Sequence, residues 1–295
     1  MYLAPLSENE PVRGRFAPSP TGPLHLGNLR TALVAWLMAR QGGGEFIVRM
    51  EDLDRVTSSP QHEADQLASL RSIGLDWDGD VVRQSDRFDL YRQTIDQLQA
   101  DGLVYECYCT RREIRQATRA PQGIDSEGVY PGTCRSLTES ERAALRSGGR
   151  RAALRLMSDG RVESFDDRFS GPQSGPVGDL VLQRNDGVPA YNLAVVVDDA
   201  AQGVTEVVRG DDLVASTPGQ IMLHRLLDLA IPSYAHIPLV LAPDATRLAK
   251  RHGAVTLADL AERGMSPGDV CARLAASLGM VTGEHAVMAP ELLGV

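Results

Sequence analysis

The 295-residue sequence lacks the features of a secreted or membrane protein. Its start, MYLAPLSENEP, has neither the basic residues nor the apolar stretch of a signal peptide. No run approaches the roughly 18 apolar residues that a membrane span needs. We therefore expect a cytoplasmic location and no membrane partner. A net positive charge is also absent: the formal charge is -9, which argues against a general nucleic-acid coat protein.

Cysteine is scarce, and its distribution is uneven. Three of the four cysteines lie within 28 residues of each other: Cys107, Cys109 and Cys134. In a chain without a secretory signal, such clustering favours a metal site over disulfides. Tetrahedral zinc takes four ligands, and no histidine falls between His62 and His224. The fourth ligand must then be an oxygen donor, a distant side chain or water, and the local choices are Asp125, Glu127 and Tyr130.

One segment of this acidic chain is basic. Residues 111–155 hold ten arginines against five acidic residues. This segment is the best candidate for contact with phosphates, and the alternative is an arginine-rich solvated helix face.

The periodicity of apolar residues indicates alternating strands and helices at the start of the chain. We expect strands over 13–17 and 44–54 and helices over 27–40 and 60–73. This alternation predicts an α/β domain with a parallel sheet. The pattern breaks near Cys107 and stays irregular until about Gly175, which indicates an insertion. Beyond the insertion we expect β-rich segments at 188–199 and 203–213, a helix over 217–230, a buried strand in HIPLVLAP and two short helices within 256–278.

The loop PSPTGPLHLGN, between the first strand and the first helix, is rich in proline and glycine. Such a loop places unpaired backbone amides and the positive end of the helix where a phosphate can bind. Gly22 and Gly27 would allow close approach of that ligand, and His25 would donate a hydrogen bond to it, although a lone histidine is more often structural. The glycines match neither GxGxxG nor GxxxxGK[ST], which excludes the dinucleotide fold and the phosphate-loop ATPases.

A second phosphate candidate is TRLAKRHGA, residues 246–254, where Lys250, Arg251 and His252 crowd a glycine-bearing loop. Mobile lysines suit the charge that develops on a transferring phosphoryl or nucleotidyl group. An ordinary basic surface loop has the same composition.

Together these motifs resemble those of a known family. PSPTGPLHLGN looks like the HIGH signature of class I aminoacyl-tRNA synthetases, and RLAKR resembles their KMSKS loop. Within that class, RFAPSPTG, RMEDLD, LDWDGD, YNLAVVVDD, GVTEVVRGDDL and KRHGA are similar to the blocks of glutamyl enzymes and follow their order. The resemblance implies a Rossmann-like parallel sheet, adenylate formation from ATP with Mg²⁺, and phosphate contacts from His25 and Lys250.

The resemblance also implies the residues of both substrate sites. For ATP they are Pro18, Gly22, His25, Gly27, Asn28 and Lys250. For L-glutamate they are Arg15, Phe16, Ala17, Pro18, Ser19, Glu51, Tyr191 and Arg209. Glutamate has two carboxylates and one ammonium, so a selective pocket needs bidentate arginines and an acid. Arg15 and Arg209 are implied as carboxylate partners and Glu51 as the ammonium partner, whereas any one of them alone could form a structural ion pair.

The cysteine pattern CYC…YPGTC resembles the zinc site of truncated glutamyl-synthetase paralogues, the glutamyl-Q tRNA(Asp) synthetases, and implies Tyr130 as the fourth ligand. Two details agree with a paralogue: about 41 residues follow Ala254, and Glu206 stands where full-length enzymes usually have histidine. The resemblance implies that the glutamyl group passes to the queuosine base of tRNA(Asp). The alternatives are a truncated glutamyl-tRNA synthetase that charges a tRNA 3' end, a ligase for a small amine, and a non-catalytic tRNA-binding paralogue.

We expect the chain to be organised around a split nucleotide-binding catalytic domain, residues 1–105 and 172–255. An inserted zinc-bearing α+β subdomain, 106–171, would carry the arginines toward the tRNA. Residues 256–295 would form a short helical tail without an anticodon-binding domain, and the chain would be a monomer.

Overall fold

The computed structural model describes residues 12–118, 130–239, 255–280 and 286–294. The strands in these ranges are β1 Arg13–Phe16, β2 Glu45–Met50, β3 Val82–Arg83, β4 Val104–Cys107, β5 Ala153–Leu156, β6 Val162–Asp167, β7 Gly171–Pro176, β8 Val181–Gln183, β9 Glu206–Gly210 and β10 Ser233–Ile237. The helices are α1 Leu26–Gln41, α2 Pro60–Ser72, α3 Phe88–Ala100, α4 Arg111–Thr118, α5 Glu139–Ser147, α6 Tyr191–Ala201, α7 Thr217–Leu226, α8 Leu257–Ala261 and α9 Pro267–Ser277.

The central sheet has the strand order β3-β2-β1-β9-β10-β6-β7. All neighbouring strands are parallel except β7, which pairs antiparallel with β6. The predicted α/β class with a parallel sheet is confirmed. The chain leaves β1 for β2 on one side, and β9 later pairs with β1 on the other side, so β1 and β9 form a switch point where open α/β sheets bind ligands.

Helix α1 is buried on nearly every side, with ten of its residues buried between Leu29 and Ala39. It packs on β1, where a Cβ built on Gly14 would lie 3.2 Å from the Cβ of Ala39. Glycine at this position therefore lets the helix approach the strand closely. This fixes where the amino terminus of α1 lies relative to the end of β1.

The interpretation of residues 188–199 as β-rich is wrong, because Tyr191–Ala201 forms α6. Seven consecutive residues of this helix, 193–199, are buried. A helix buried all round has no polar face, so its apolar run reads like a buried strand.

The interpretation of residues 107–175 as irregular is also wrong. Strands β4, β5 and β8 form a separate three-stranded antiparallel sheet, and β6 and β7 belong to the central sheet. The expected insertion, 106–171, therefore includes β6 and the start of β7, and its expected boundary at 171 falls at the β6–β7 hairpin.

The predicted pair of short helices near the carboxyl end is confirmed as α8 and α9. The Ser266 side chain caps α9 through the backbone N–H of Asp269, with Pro267 in the first turn. The buried face of α9 joins the same hydrophobic core as α1. These helices therefore support the helix that leads to the site described next.

Candidate active site

A cavity of about 500 Å³ opens at the carboxyl ends of β1, β2, β9 and β10. This is the switch point of the sheet, where the loop after β1 leads into the amino terminus of α1. The backbone N–H of Glu51, just after β2, donates to the carbonyl of Pro18 at 2.9 Å. That bond joins the ends of the first two parallel strands.

The structure brings most of the predicted site residues together around this cavity. All eight residues expected to bind glutamate line it: Arg15, Phe16, Ala17, Pro18, Ser19, Glu51, Tyr191 and Arg209. Three more of the residues expected to bind ATP line it as well: His25, Gly27 and Asn28. Lys250 lies outside the described residues, as does the rest of TRLAKRHGA.

Gly22 does not line this cavity. It is buried behind the loop, where its carbonyl accepts a hydrogen bond from Gln66 Nε2 at 2.7 Å. The same amide nitrogen donates to the carbonyl of Ser19 at 3.0 Å. Gly22 therefore takes part in fixing the shape of the loop, and its expected contact with ATP stays a prediction.

His25 is the N-cap of α1. Its Nδ1 accepts a hydrogen bond from the backbone N–H of Gly27 at 3.1 Å, and Asn28 Oδ1 accepts from the His25 N–H at 3.2 Å. Because Nδ1 is an acceptor, the neutral ring carries its proton on Nε2. The imidazole therefore caps the helix through Nδ1 and carries its proton on Nε2.

Glu51 lies beside two arginines and close to two carboxylates. Arg49 Nη2 is 3.8 Å from Glu51 Oε1, and the Glu51 side chain is 12% exposed. Burial raises the pKa of Glu51 to about 7, although Arg49 and Arg15 oppose this and the buried Asp198 and Asp199 add to it. The carboxyl group therefore changes charge close to neutral pH.

The two arginines are held by carboxylates on α6. Arg49 Nη2 lies 2.7 Å from Asp199 Oδ1, and Arg15 Nε lies 3.5 Å from the same oxygen. Burial alone would raise the pKa of Asp199, but the charges of Arg49 and Arg15 lower it. Arg15 also donates from Nη1 to the Val208 carbonyl at 3.0 Å, so its guanidinium is fixed beside the cavity.

Arg209 is 5% exposed and is held by neutral acceptors. Its nitrogens donate to His236 Nε2, Gln220 Oε1 and Thr217 Oγ1 at 3.0, 2.8 and 2.8 Å. Within the described residues, no carboxylate lies within ion-pair distance of it. The cavity therefore carries a buried positive charge that suits a substrate carboxylate.

Sequence reasoning missed several residues of the site and its surroundings: Arg30, Arg49, Asp199, Thr217, Gln220 and His236. Arg30 lines the cavity, is 9% exposed and donates from Nη1 to the Pro238 carbonyl at 2.8 Å. Burial lowers its pKa. Arg49 and His236 could have been found from the sequence, because each is a titratable residue within an apolar strand. Such a residue needs a buried partner.

The three clustered cysteines converge with Tyr130. Their sulfur atoms lie within 4.8 Å of one another, and Tyr130 Oη lies 3.3 Å from Cys107 Sγ and 3.5 Å from Cys109 Sγ. A tetrahedral zinc site with bonds of about 2.3 Å to sulfur places its sulfurs roughly 3.8 Å apart, so this donor set fits the ion. Burial raises the pKa of Cys109 to about 12. The two other local choices for a fourth ligand, Asp125 and Glu127, lie outside the described residues.

Several arginines of the basic segment have structural partners. Arg150 pairs with Glu113 at 3.0 Å, and Arg135 Nε donates to Asp179 at 2.6 Å. The Arg155 guanidinium lies 4.0 Å from the centroid of the Tyr130 ring. Among the described residues of this segment, the exposed arginines are Arg111, Arg112, Arg146, Arg150 and Arg151.

The family of tRNA synthetases class I (E and Q), catalytic domain, matches residues 11–290. The chain belongs to this family. The predicted resemblance to class I synthetases is therefore confirmed, and the chain is a ligase of that class.

Two relatives of this synthetase cover most of its length. A glutamyl-Q tRNA(Asp) synthetase of Nocardia farcinica is 60% identical over 267 residues, which are 90% of this chain and 85% of that protein. A glutamyl-Q tRNA(Asp) synthetase of Symbiobacterium thermophilum is 50% identical over 294 residues, covering 96% of this chain and 91% of that protein.

Solved structures of the family are similar to this synthetase throughout the fold. The glutamate-tRNA synthetase of Elizabethkingia anophelis has a TM-score of 0.81 and 30% sequence identity over 96% of this chain. A glutamate tRNA ligase of Elizabethkingia meningosepticum, solved with its amino acid, has a TM-score of 0.79 and 30% identity. This chain spans 65% and 64% of their lengths. No helix in the described part of the synthetase is long and apolar enough to cross a membrane.

Proposed function

We propose that this synthetase activates L-glutamate with ATP and transfers the glutamyl group to the queuosine base in the anticodon of tRNA(Asp). In the first step a glutamate carboxylate oxygen attacks the α-phosphorus of ATP, giving glutamyl-adenylate and pyrophosphate. In the second step a hydroxyl of the queuosine cyclopentene ring attacks the acyl carbon, giving an ester and AMP. The names of the two relatives at 60% and 50% identity support the choice of acceptor.

The observation that carries the proposal is the charge pattern of the 500 Å³ cavity. Arg15 and Arg209 provide two buried guanidinium groups for the two carboxylates of glutamate. Glu51 provides a carboxylate for its ammonium group. A neutral amino acid would leave one buried arginine without a substrate carboxylate, which favours a dicarboxylic substrate.

The amino terminus of α1 supports an ATP site in the same cavity. Its backbone amides, the His25 imidazole and the buried Arg30 side chain all border the space in which phosphates would bind. The described residues on either side of the TRLAKRHGA loop also adjoin this region: Leu239 lines the cavity, and the Val255 carbonyl accepts from the Leu26 N–H at 3.0 Å. We assign Lys250 to the phosphates from this loop and expect Mg²⁺ to accompany ATP.

A second cavity, of about 1170 Å³, supports entry of a large acceptor. It shares Tyr191 and Asp212 with the first cavity and extends beside Tyr130 and Ile114 of the cysteine region. We assign this cavity to the acceptor nucleoside and the exposed Arg111, Arg112 and Arg151 to the tRNA backbone.

We propose that Cys107, Cys109, Cys134 and Tyr130 hold Zn²⁺. The ion would bind deprotonated ligands and cross-link β4 to the segment that contains Tyr130 and Cys134. Its role would be to hold the wall of the acceptor cavity. The expected cytoplasmic location and monomeric state belong to the same proposal, as does the split between catalytic domain, insertion and tail.

The experiment that tests the acceptor uses ATP, radiolabelled glutamate and tRNA(Asp) with and without queuosine. We expect label to enter only the queuosine-containing tRNA, and to enter it equally when the 3'-terminal adenosine has been removed before the reaction. Equal labelling of both tRNAs, lost when the 3'-terminal adenosine has been removed, would support the truncated enzyme that charges a 3' end. Absence of label from both would leave the non-catalytic paralogue or a ligase for a small amine.

A further inference from the structure

Arg209 is oriented by hydrogen bonds that use part of its donor capacity. Its Nε–H donates to His236 Nε2, and one N–H on each terminal nitrogen donates to Gln220 Oε1 and Thr217 Oγ1. A guanidinium has five N–H donors. Two N–H groups therefore remain, and Arg209 lines the cavity in which they can meet a substrate carboxylate.

The protonation state of His236 follows from its two partners. A guanidinium can only donate, so Nε2 of His236 must accept. The single ring proton then lies on Nδ1, which donates to Asp167 Oδ2 at 2.6 Å. Asp167 is itself fixed, since its other oxygen accepts from the backbone N–H groups of Phe169 and Ser170 at 3.1 and 2.9 Å. The Asp167 carboxylate thus stabilises the Nδ1–H tautomer of His236, in which Nε2 is free to accept from Arg209.

The ring of His236 has little freedom to turn. Its side chain and that of Asp167 are fully buried. Tyr234 stacks on the imidazole with a centroid distance of 6.1 Å and an interplanar angle of 10°, and Phe165 lies at 6.1 Å. Burial lowers the pKa of His236, Asp167 opposes this, and the charges of Arg209 and Arg15 add to the lowering, so the net direction agrees with a neutral ring.

We propose that His236, with its tautomer fixed by Asp167, is a positioning residue that holds Arg209 in the direction in which it binds a carboxylate of the amino-acid substrate. The inference rests on the proposed function of Arg209. Asp167, His236 and Arg209 lie on three neighbouring strands, β6, β10 and β9. This chain of hydrogen bonds, the relay, therefore crosses the sheet beneath the cavity. A neutral acceptor orients the guanidinium without neutralising it, which leaves its charge for the substrate.

A structural role must be separated from this one, because the Asp167–His236 bond also joins β6 to β10. Two substitutions make the separation. His236→Gln can keep an acceptor near the position of Nε2 but loses the donor to Asp167. His236→Asn can keep a donor near the position of Nδ1 but loses the acceptor for Arg209.

The measurement is ATP-pyrophosphate exchange as a function of glutamate and of ATP. For His236→Asn we expect the KM for glutamate to rise by about tenfold or more, with the KM for ATP within about twofold of wild type. For His236→Gln we expect the KM for glutamate to stay within about threefold of wild type. Equal effects of the two substitutions, or a larger effect of His236→Gln, would overturn the inference and leave a structural role.

Measurements on the wild-type protein distinguish failure of the proposed function from failure of the role assigned to His236. Without glutamate-dependent exchange by wild type, the proposed function fails and the inference fails with it. With wild-type exchange present, the variants test the inference alone. Nitrogen NMR of the wild-type imidazole adds a readout independent of any variant: at neutral pH we expect a proton on Nδ1 only, and an Nε2–H tautomer or an imidazolium would contradict the relay.

Discussion

At the scale of single residues, the site depends on charges that are buried before any substrate binds. Arg15, Arg209 and Glu51 are conspicuous in the sequence because a family pattern contains them. The residues that hold them are not conspicuous in the sequence. His236, for example, lies 27 residues from Arg209 and contacts it only because β9 pairs with β10. A glycine such as Gly22 looks the same in sequence whether it faces a ligand or the side chain that supports its loop.

The first prediction concerns Glu51, whose pKa of about 7 lies above that of an ordinary carboxyl. Because its pKa is raised in the folded protein, Glu51 favours folding at pH values below its unfolded pKa, and this contribution is lost as the pH rises through about 7. We expect Glu51→Gln to become more stable relative to wild type between pH 5 and pH 8, by up to roughly 3 kcal/mol. Urea unfolding of both proteins at the two pH values measures this.

The same group predicts a pH dependence of substrate affinity. An ionised Glu51 attracts the ammonium of glutamate, so the wild-type KM for glutamate should fall as the pH rises through about 7. Glu51→Gln should have a higher KM for glutamate and lose this dependence. A pH profile of the KM that is equally steep in Glu51→Gln would exclude Glu51 as its source.

The next prediction separates the two roles of His25. In His25→Asn the amide oxygen can still accept from the Gly27 N–H, so the free energy of unfolding should change by less than about 0.5 kcal/mol, because asparagine is a good N-cap. The variant lacks the Nε2–H donor, so pyrophosphate exchange should fall by about 100-fold. His25→Ala should lose both the cap and the exchange. Wild-type exchange by His25→Asn would remove His25 from the reaction.

At the scale of elements, the patterns with a clear periodicity were predicted well, whereas α6, β6 and β7 were not. Helices α1, α2 and α9 and strands β1 and β2 follow from periodicity and capping residues. Helix α6 was misread because its buried apolar run has no polar face. Strands β6 and β7 were missed because VESFDDRFSGPQSGP contains neither a long apolar run nor a strong alternation. Their place in the sheet depends on the pairing of β6 with β10.

The prediction at this scale concerns the cysteine cluster as a link between elements. Zinc measured by elemental analysis should be about one ion per wild-type chain and should be lost in Cys109→Ala. Cys271→Ala is the matched control, since Cys271 is buried in the core with α1 and lies outside the cluster. Tyr130→Phe should keep the three thiolates and release zinc to a chelator faster than wild type. Full zinc retention by Cys109→Ala would contradict the assigned site.

At the scale of the whole molecule, one fold brings distant segments of the chain to one cavity. The loop after β1, the end of β2, the start of α6 and the end of β9 are separated by up to about 190 residues and meet because parallel strands end at the same edge. The family resemblance predicted most of this constellation. It did not predict the second cavity or the support that α9 gives to α1, since both depend on how the inserted and terminal segments pack.

The central claim is that this cavity selects and activates a dicarboxylic amino acid. ATP-pyrophosphate exchange without tRNA, with L-glutamate or L-glutamine, in wild type and Arg209→Gln, tests it most directly. We predict exchange by wild type with glutamate, at least about 100-fold weaker kcat/KM with glutamine, and a similar loss of kcat/KM for glutamate in Arg209→Gln. Equal use of the two amino acids by wild type, or unchanged use of glutamate by Arg209→Gln, would contradict it.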